Sequence, residues 1–291
     1  AIGLSVVIAL AVGLAVAVPL LREGLPARAT IIASLTVGFA IVRALIVEGF
    51  AGAMLAIARG TTVRVALAIA ALAAFAAAAD AGYGMELDVQ LSKDGEVVVF
   101  HDDTLDRVTG VAGRVDAFDW AELKEMPLCG TGHHMPLFTE VLATVAGRTP
   151  LIVELKSGPR NKELCQKTLA LLRSYEGAFC VESFDPTIVA WFRRNAPDIL
   201  RGQLSDSCAS FRKDGSSLIG SFVLSRCMGN FLARPQFIAW GPNPKNVAVR
   251  LIEAFGPMKV FWTARPGMDH AALTGEYDGV IFEHYTPPAR Y

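Results

Sequence analysis

The chain has 291 residues and a formal net charge of −1; with that balance and no recognisable motif for it, nucleic acid is set aside as a partner. Its apolar fraction, 53%, is high for a soluble protein, and the excess is concentrated at one end. Residues 1–79 contain no Asp, Asn, Gln, His, Lys, Cys, Trp or Tyr, and all of these appear from Asp80 onward, so a compositional border falls there. Ala1 to Leu21 is an uninterrupted apolar run long enough to span a bilayer. It lacks the basic leading region of a signal peptide. A second apolar segment, Ala29 to Val47, follows the loop Arg22–Arg28 and carries Arg43 inside it. Near the end of a span such an arginine can reach the interface. These segments predict a membrane anchor of one or two apolar helices over residues 1–50. A third stretch, Val65 to Ala79, is short for a span and fits a buried helix better.

The next segment, Gly84 to Asp106, reads GMELDVQLSKDGEVVVFHDDTLD. Met85, Leu87, Val89 and Leu91 alternate with Glu86, Asp88 and Gln90, a strand period that projects Glu86 and Asp88 from one face. Lys93-Asp94-Gly95 supplies a turn, and a second strand, Val97 to Phe100, delivers His101-Asp102 to its end. Alternating charges on a strand ordinarily mark the wet face of an antiparallel sheet. Two carboxylates with a histidine beyond a neighbouring strand also suit a hard divalent cation and an acid/base group. The joint pattern of E-x-D, K-D-G, an apolar run and H-D-D resembles the signature of the glycerophosphodiester phosphodiesterase family. That resemblance implies a metal-dependent (β/α)8 barrel.

From Asp80 onward strand-like and helix-like segments alternate, as in a parallel sheet wrapped by helices. Strands are predicted over 85–91, 151–156, 179–183, 202–204, 237–240, 260–263 and 279–282. Helices are predicted over 120–124, 139–146, 162–175, 186–195, 246–255 and 270–274. In Leu151-Ile-Val-Glu-Leu-Lys-Ser, Glu154 and Lys156 share a face; taken alone, the pair also fits an exposed salt-bridge face. The resemblance makes Glu154 a third metal ligand and Lys156 a cation near the phosphate. Asp185-Pro186 reads as a helix cap with proline at the first helical position, within an S-F-D element that the family shares. Trp262 fits either a wall of the substrate pocket or a core aromatic, and Glu283 ends the closing strand. Residues 207–234 break the alternation with apolar clusters among Arg212, Lys213, Arg226 and Arg234, an insertion that fits a membrane-surface segment, a lid or a packed helix. His133 and His134 read as loop residues. The five cysteines show no metal or redox spacing; Cys165 and Cys180 read as core, and the odd count favours a reducing, cytoplasmic setting.

The barrel implied by the resemblance needs a strand and a helix before Glu86, and Leu55–Ala58 and Leu67–Ala81 are expected to supply them. The domain division is then an anchor over 1–50 and a barrel over 51–291. Here the chain departs from the family. Where the first strand should end in H-R-G it has Ala58-Arg59-Gly60, and Ala68-Ile69-Ala70 replaces P-E-N. The resemblance implies that Glu86, Asp88 and Glu154 hold one divalent cation, Ca²⁺ or Mg²⁺. It also implies that His101, Arg59 and Lys156 act on a glycerophosphodiester, giving an alcohol and glycerol 3-phosphate. Two alternatives follow from the missing histidine and the anchor: a catalytically weak or silent membrane-associated barrel that binds a phospholipid headgroup or partner, and a relative that cleaves lysophospholipids. The chain is expected at a membrane, its side undetermined.

Overall fold

The computed structural model describes residues 62–64, 71–130 and 133–287. Nine strands lie in one sheet among these residues: β1 (Thr62–Arg64), β2 (Met85–Leu91), β3 (Val97–Val99), β4 (Leu151–Leu155), β5 (Phe179–Ser183), β6 (Arg201–Ser205), β7 (Phe237–Trp240), β8 (Met258–Ala264) and β9 (Gly279–Phe282). β1 pairs in parallel with both β2 and β9, so the eight parallel strands close on themselves as a barrel, with β3 added antiparallel to β2. The helices that alternate with them are α1 (Ala71–Asp80), α2 (Phe138–Val145), α3 (Asn161–Arg173), α4 (Pro186–Asn195), α5 (Cys208–Lys213), α6 (Leu218–Ser225), α7 (Asn230–Ala233), α8 (Val247–Ala254) and α9 (His270–Glu276).

The alternation of the strands divides their side chains between two environments. Leu87, Val89, Val153, Leu155 and Val181 join Phe138, Val141, Leu164 and Phe192 of the helices in the main hydrophobic core. The opposite faces of β2 and β4 carry Glu86, Asp88, Gln90 and Glu154, and all seven residues of β2 are buried. A wet antiparallel face is thereby excluded for the E-x-D strand. Most strands fall within two residues of their expected bounds. The first does not: β1 lies at Thr62–Arg64, and Leu55–Ala58 falls outside the described residues. Four consecutive apolar or small residues gave no alternation from which to place that strand.

Between β3 and α2 the chain makes an excursion with its own small core, built from Val98, Phe100, Leu105, Val108, Val115, Leu123, Leu128 and Met135. The expected anchor over 1–50 and Arg59 lie outside the described residues. Among the described residues no helix is long and apolar enough to cross a membrane.

Candidate active site

Parallel barrel strands present their functional side chains at their C-terminal ends, and the polar faces of β2 and β4 meet there. Asp88 pairs in register with Glu154, and Glu154 with Glu182 of β5. Glu86, Asp88 and Glu154 each offer a carboxylate oxygen, all within 4.8 Å of one another, and all three residues are buried. Lys156, just past β4, places Nζ 3.4 Å from Asp88 Oδ1 and 3.2 Å from Glu154 Oε1. An oxygen-only donor set of three carboxylates fits a hard divalent ion.

His101 follows β3 on a loop that β2 holds in two ways. The Phe100 N–H donates to the Asp88 carbonyl (3.0 Å), and Gln90 Nε2 donates to the carbonyls of Phe100 and Asp102 (both 2.8 Å). Gln90 shares a face with Glu86 and Asp88, so one strand face carries two of the carboxylates and the clamp for the histidine loop. His101 Nδ1 lies 2.7 Å from Asp102 Oδ1, and Arg107 reaches both oxygens of the same carboxylate, at 2.7 and 2.6 Å. Burial opposes ionisation of Asp102, but hydrogen bonds from Arg107 and His101 outweigh it and hold the carboxyl below the usual range.

Asp185 caps α4 by accepting the Thr187 N–H (2.8 Å) and also accepts from Ser157 Oγ (3.0 Å) and Asn161 Nδ2 (2.9 Å), fastening the loop after Lys156. Trp262 Nε1 donates to the Ala239 carbonyl (3.1 Å), and the Trp262 ring meets Phe184 edge-on at 5.5 Å. Phe184 in turn meets Phe211 of α5 at 5.9 Å, an aromatic row along the ends of β5, β6 and β8. Glu283, beyond β9, is buried and paired with Arg265 at 2.7 Å. His133 and His134 are exposed loop residues, and Cys165, Cys180 and Cys227 are buried free thiols. Burial pushes the Cys165 thiol up to about 12 and the Cys227 thiol up to about 11.

In the sequence Gln90 stands out only as part of the β2 alternation, and Glu182 not at all. Alternation alone put Gln90 on the carboxylate face, but its role depends on where the loop after β3 turns back. Glu182 was hidden in C-V-E-S-F, where a single charge among apolar residues has no partner at fixed spacing.

Residues 70–285 match the model of the glycerophosphoryl diester phosphodiesterase family. The chain belongs to that family. The match begins after Ala58-Arg59-Gly60, where the chain departs from the family pattern. A glycerophosphodiester phosphodiesterase of Caldanaerobacter subterraneus is 33% identical over 148 residues, 46% of this chain and 59% of that relative's length. Among solved structures, a glycerophosphodiester phosphodiesterase of Thermotoga maritima is 26% identical, with a TM-score of 0.53, covering 72% of this chain and 86% of that one. A phosphodiesterase of Oleispira antarctica in complex with the product sn-glycerol-3-phosphate shares the fold, with a TM-score of 0.60 at 20% identity. That likeness covers 77% of this chain and 92% of the other.

Proposed function

We propose that the chain is a metal-dependent phosphoric diester hydrolase that splits glycerophosphodiesters into an alcohol and glycerol 3-phosphate. The observation that carries the reading is the buried cluster of Glu86, Asp88 and Glu154 with Lys156, at the end of a barrel of this family. The three carboxylates would hold one divalent cation, Ca²⁺ or Mg²⁺, which supplies positive charge to the phosphoryl oxygens when bound. Lys156 adds a fixed positive charge beside them. His101 is the acid/base group: its Nδ1 contact with Asp102 directs Nε2 as the nitrogen that exchanges a proton with the reacting oxygen. In the reaction a water oxygen gives up a proton and bonds to phosphorus, the ester bond from phosphorus to the alcohol breaks, and the leaving oxygen takes up a proton. Arg59 would contribute a second phosphate-binding cation, and Trp262 with Phe184 would wall the alcohol side. The apolar surface at α6 and α7 favours a second reading, in which the alcohol portion belongs to a lysophospholipid. An N-terminal anchor would keep the barrel at a membrane in either case.

Product analysis tests the proposal. Incubation with glycerophosphocholine is expected to release choline and glycerol 3-phosphate. Release of phosphocholine and glycerol would put the cleavage on the other ester bond and overturn it.

A further inference from the structure

The segment between β6 and β7 contains a helix turned inside out. On α6 the small polar residues Ser221 and Ser225 are buried, at 0% and 1% exposure, while Leu218, Ile219 and Phe222 face outward, Ile219 at 77%. The two serines satisfy themselves on their own helix, Ser221 Oγ donating to the Ser217 carbonyl and Ser225 Oγ to the Phe222 carbonyl. Leu218 and Phe222 are four apart and Ile219 lies beside them, so the three share a face. Phe231, 72% exposed, and Leu232 also face outward, on α7. Scattered exposed apolar residues need no explanation, whereas a helix that buries serine and exposes leucine, isoleucine and phenylalanine does.

α6 ends at the barrel mouth, where Ser205 Oγ, at the end of β6, donates to the Leu224 carbonyl (2.8 Å). α5 begins directly after β6, and its Phe211 joins the Phe184–Trp262 row. Gly229, which precedes α7, lies so close to Pro186 at the start of α4 that a Cβ there would come within 2.4 Å of the proline ring. The segment is also rich in cations. Residues 207–234 include Arg212, Lys213 and Arg226 against the single acid Asp214; Arg234 follows α7 near the start of β6, where Arg201 Nη2 donates to its carbonyl. The Arg226 guanidinium lies 3.7 Å from the centre of the Phe222 ring, so the positive charge sits on the apolar face itself.

We infer that α6, with Phe231 at the adjoining start of α7, forms a docking surface for an anionic lipid bilayer, with the apolar side chains at the acyl boundary and the cations among the headgroups. Charge decides among the occupants. A second copy would set the same cations against themselves. Residues 1–61 contain Arg22, Arg28, Arg43 and Arg59 against Glu23 and Glu48, so that segment is also net positive. An anionic headgroup layer is the complementary partner. Taken with the reaction proposed above, the surface would bring the mouth to substrates that lie in a membrane.

Hydrogen exchange of the full chain tests the docking without reading activity, so its failure is separate from failure of the proposed reaction. With vesicles of equimolar phosphatidylcholine and phosphatidylglycerol, peptides from 207–234 are expected to slow in exchange. With phosphatidylcholine alone the slowing is expected to be weaker. In Ile219→Glu/Phe231→Glu it is expected to vanish while α1–α4 keep their protection, whatever residues 1–61 do at the membrane. Arg212→Glu/Lys213→Glu is expected to remove the difference between the two vesicles. Three results would overturn the inference: exchange at 207–234 indifferent to vesicles, protection already complete without lipid, or protection that grows with protein concentration alone.

Discussion

Asp102 is held ionised against its own burial by Arg107 and His101. Because the folded-state value is depressed, the charged carboxyl adds stability above the unfolded value, about 3.9. That contribution is lost as pH falls through the folded value. Asp102→Asn is therefore expected to cost stability near neutral pH and to narrow its deficit below about pH 4, as acid titration followed by circular dichroism would show. A deficit constant across that range would mean the carboxyl contributes no ionic stabilisation. Gln90 is the second residue whose role is local. Its amide ties two carbonyls around His101, and removing a buried donor typically costs about 1–3 kcal/mol. Gln90→Ala should lower kcat while leaving the affinity for the cation unchanged. Its loss should be smaller than that of His101→Ala, for which about 10²- to 10⁴-fold is expected. A larger loss than His101→Ala, or a weakened cation, would show that Gln90 acts on the carboxylates and not on the histidine loop.

The elements test how the barrel is packed. Gly202 of β6 and Phe237 of β7 are register partners, and a Cβ on Gly202 would sit 2.0 Å from the Phe237 ring. The phenylalanine fills space that the glycine vacates, so Gly202→Ala overfills the site at about 1–3 kcal/mol. Each kcal/mol moves Tm by roughly 2–4 °C in a domain of this size. Adding Phe237→Leu should recover part of the loss; no recovery would place the cost in the backbone of β6. Elements differ in how well the sequence foretold them, for physical reasons. β2, β5, β7 and β9 have either clean alternation or short apolar runs between turn signals, and they appear where expected. β1 lies in alanine-rich chain with no period, and its place was set by pairing with β2 and β9. The small core carrying His101 was not read as a unit, because its residues from Val98 to Met135 follow neither a period of 2 nor one of 3.6. α6 showed its composition in the sequence but not its orientation, since two buried serines reverse the face that hydrophobicity would choose.

At the scale of the whole molecule, a closed barrel brings together residues distant in sequence. Glu86 and Glu154 are 68 positions apart, and only the parallel pairing of β2 with β4 makes them one site. The carboxylates were legible as candidates because E-x-D and E-x-K each fix a strand face. Their convergence within 4.8 Å, and the insertion of Lys156 between two of them, are properties of the fold. Three buried carboxylates within 4.8 Å of one another form an oxygen-only donor set of the kind a hard divalent cation takes. The most direct measurement is the rate of glycerol 3-phosphate release from glycerophosphocholine by the full chain, with and without Ca²⁺ or Mg²⁺, beside Glu86→Gln. Metal-dependent hydrolysis predicts release that requires the cation and is lost in Glu86→Gln, which changes one carboxylate to an amide of the same shape. Release that persists without the cation or in that variant, or no release under any condition, would contradict it.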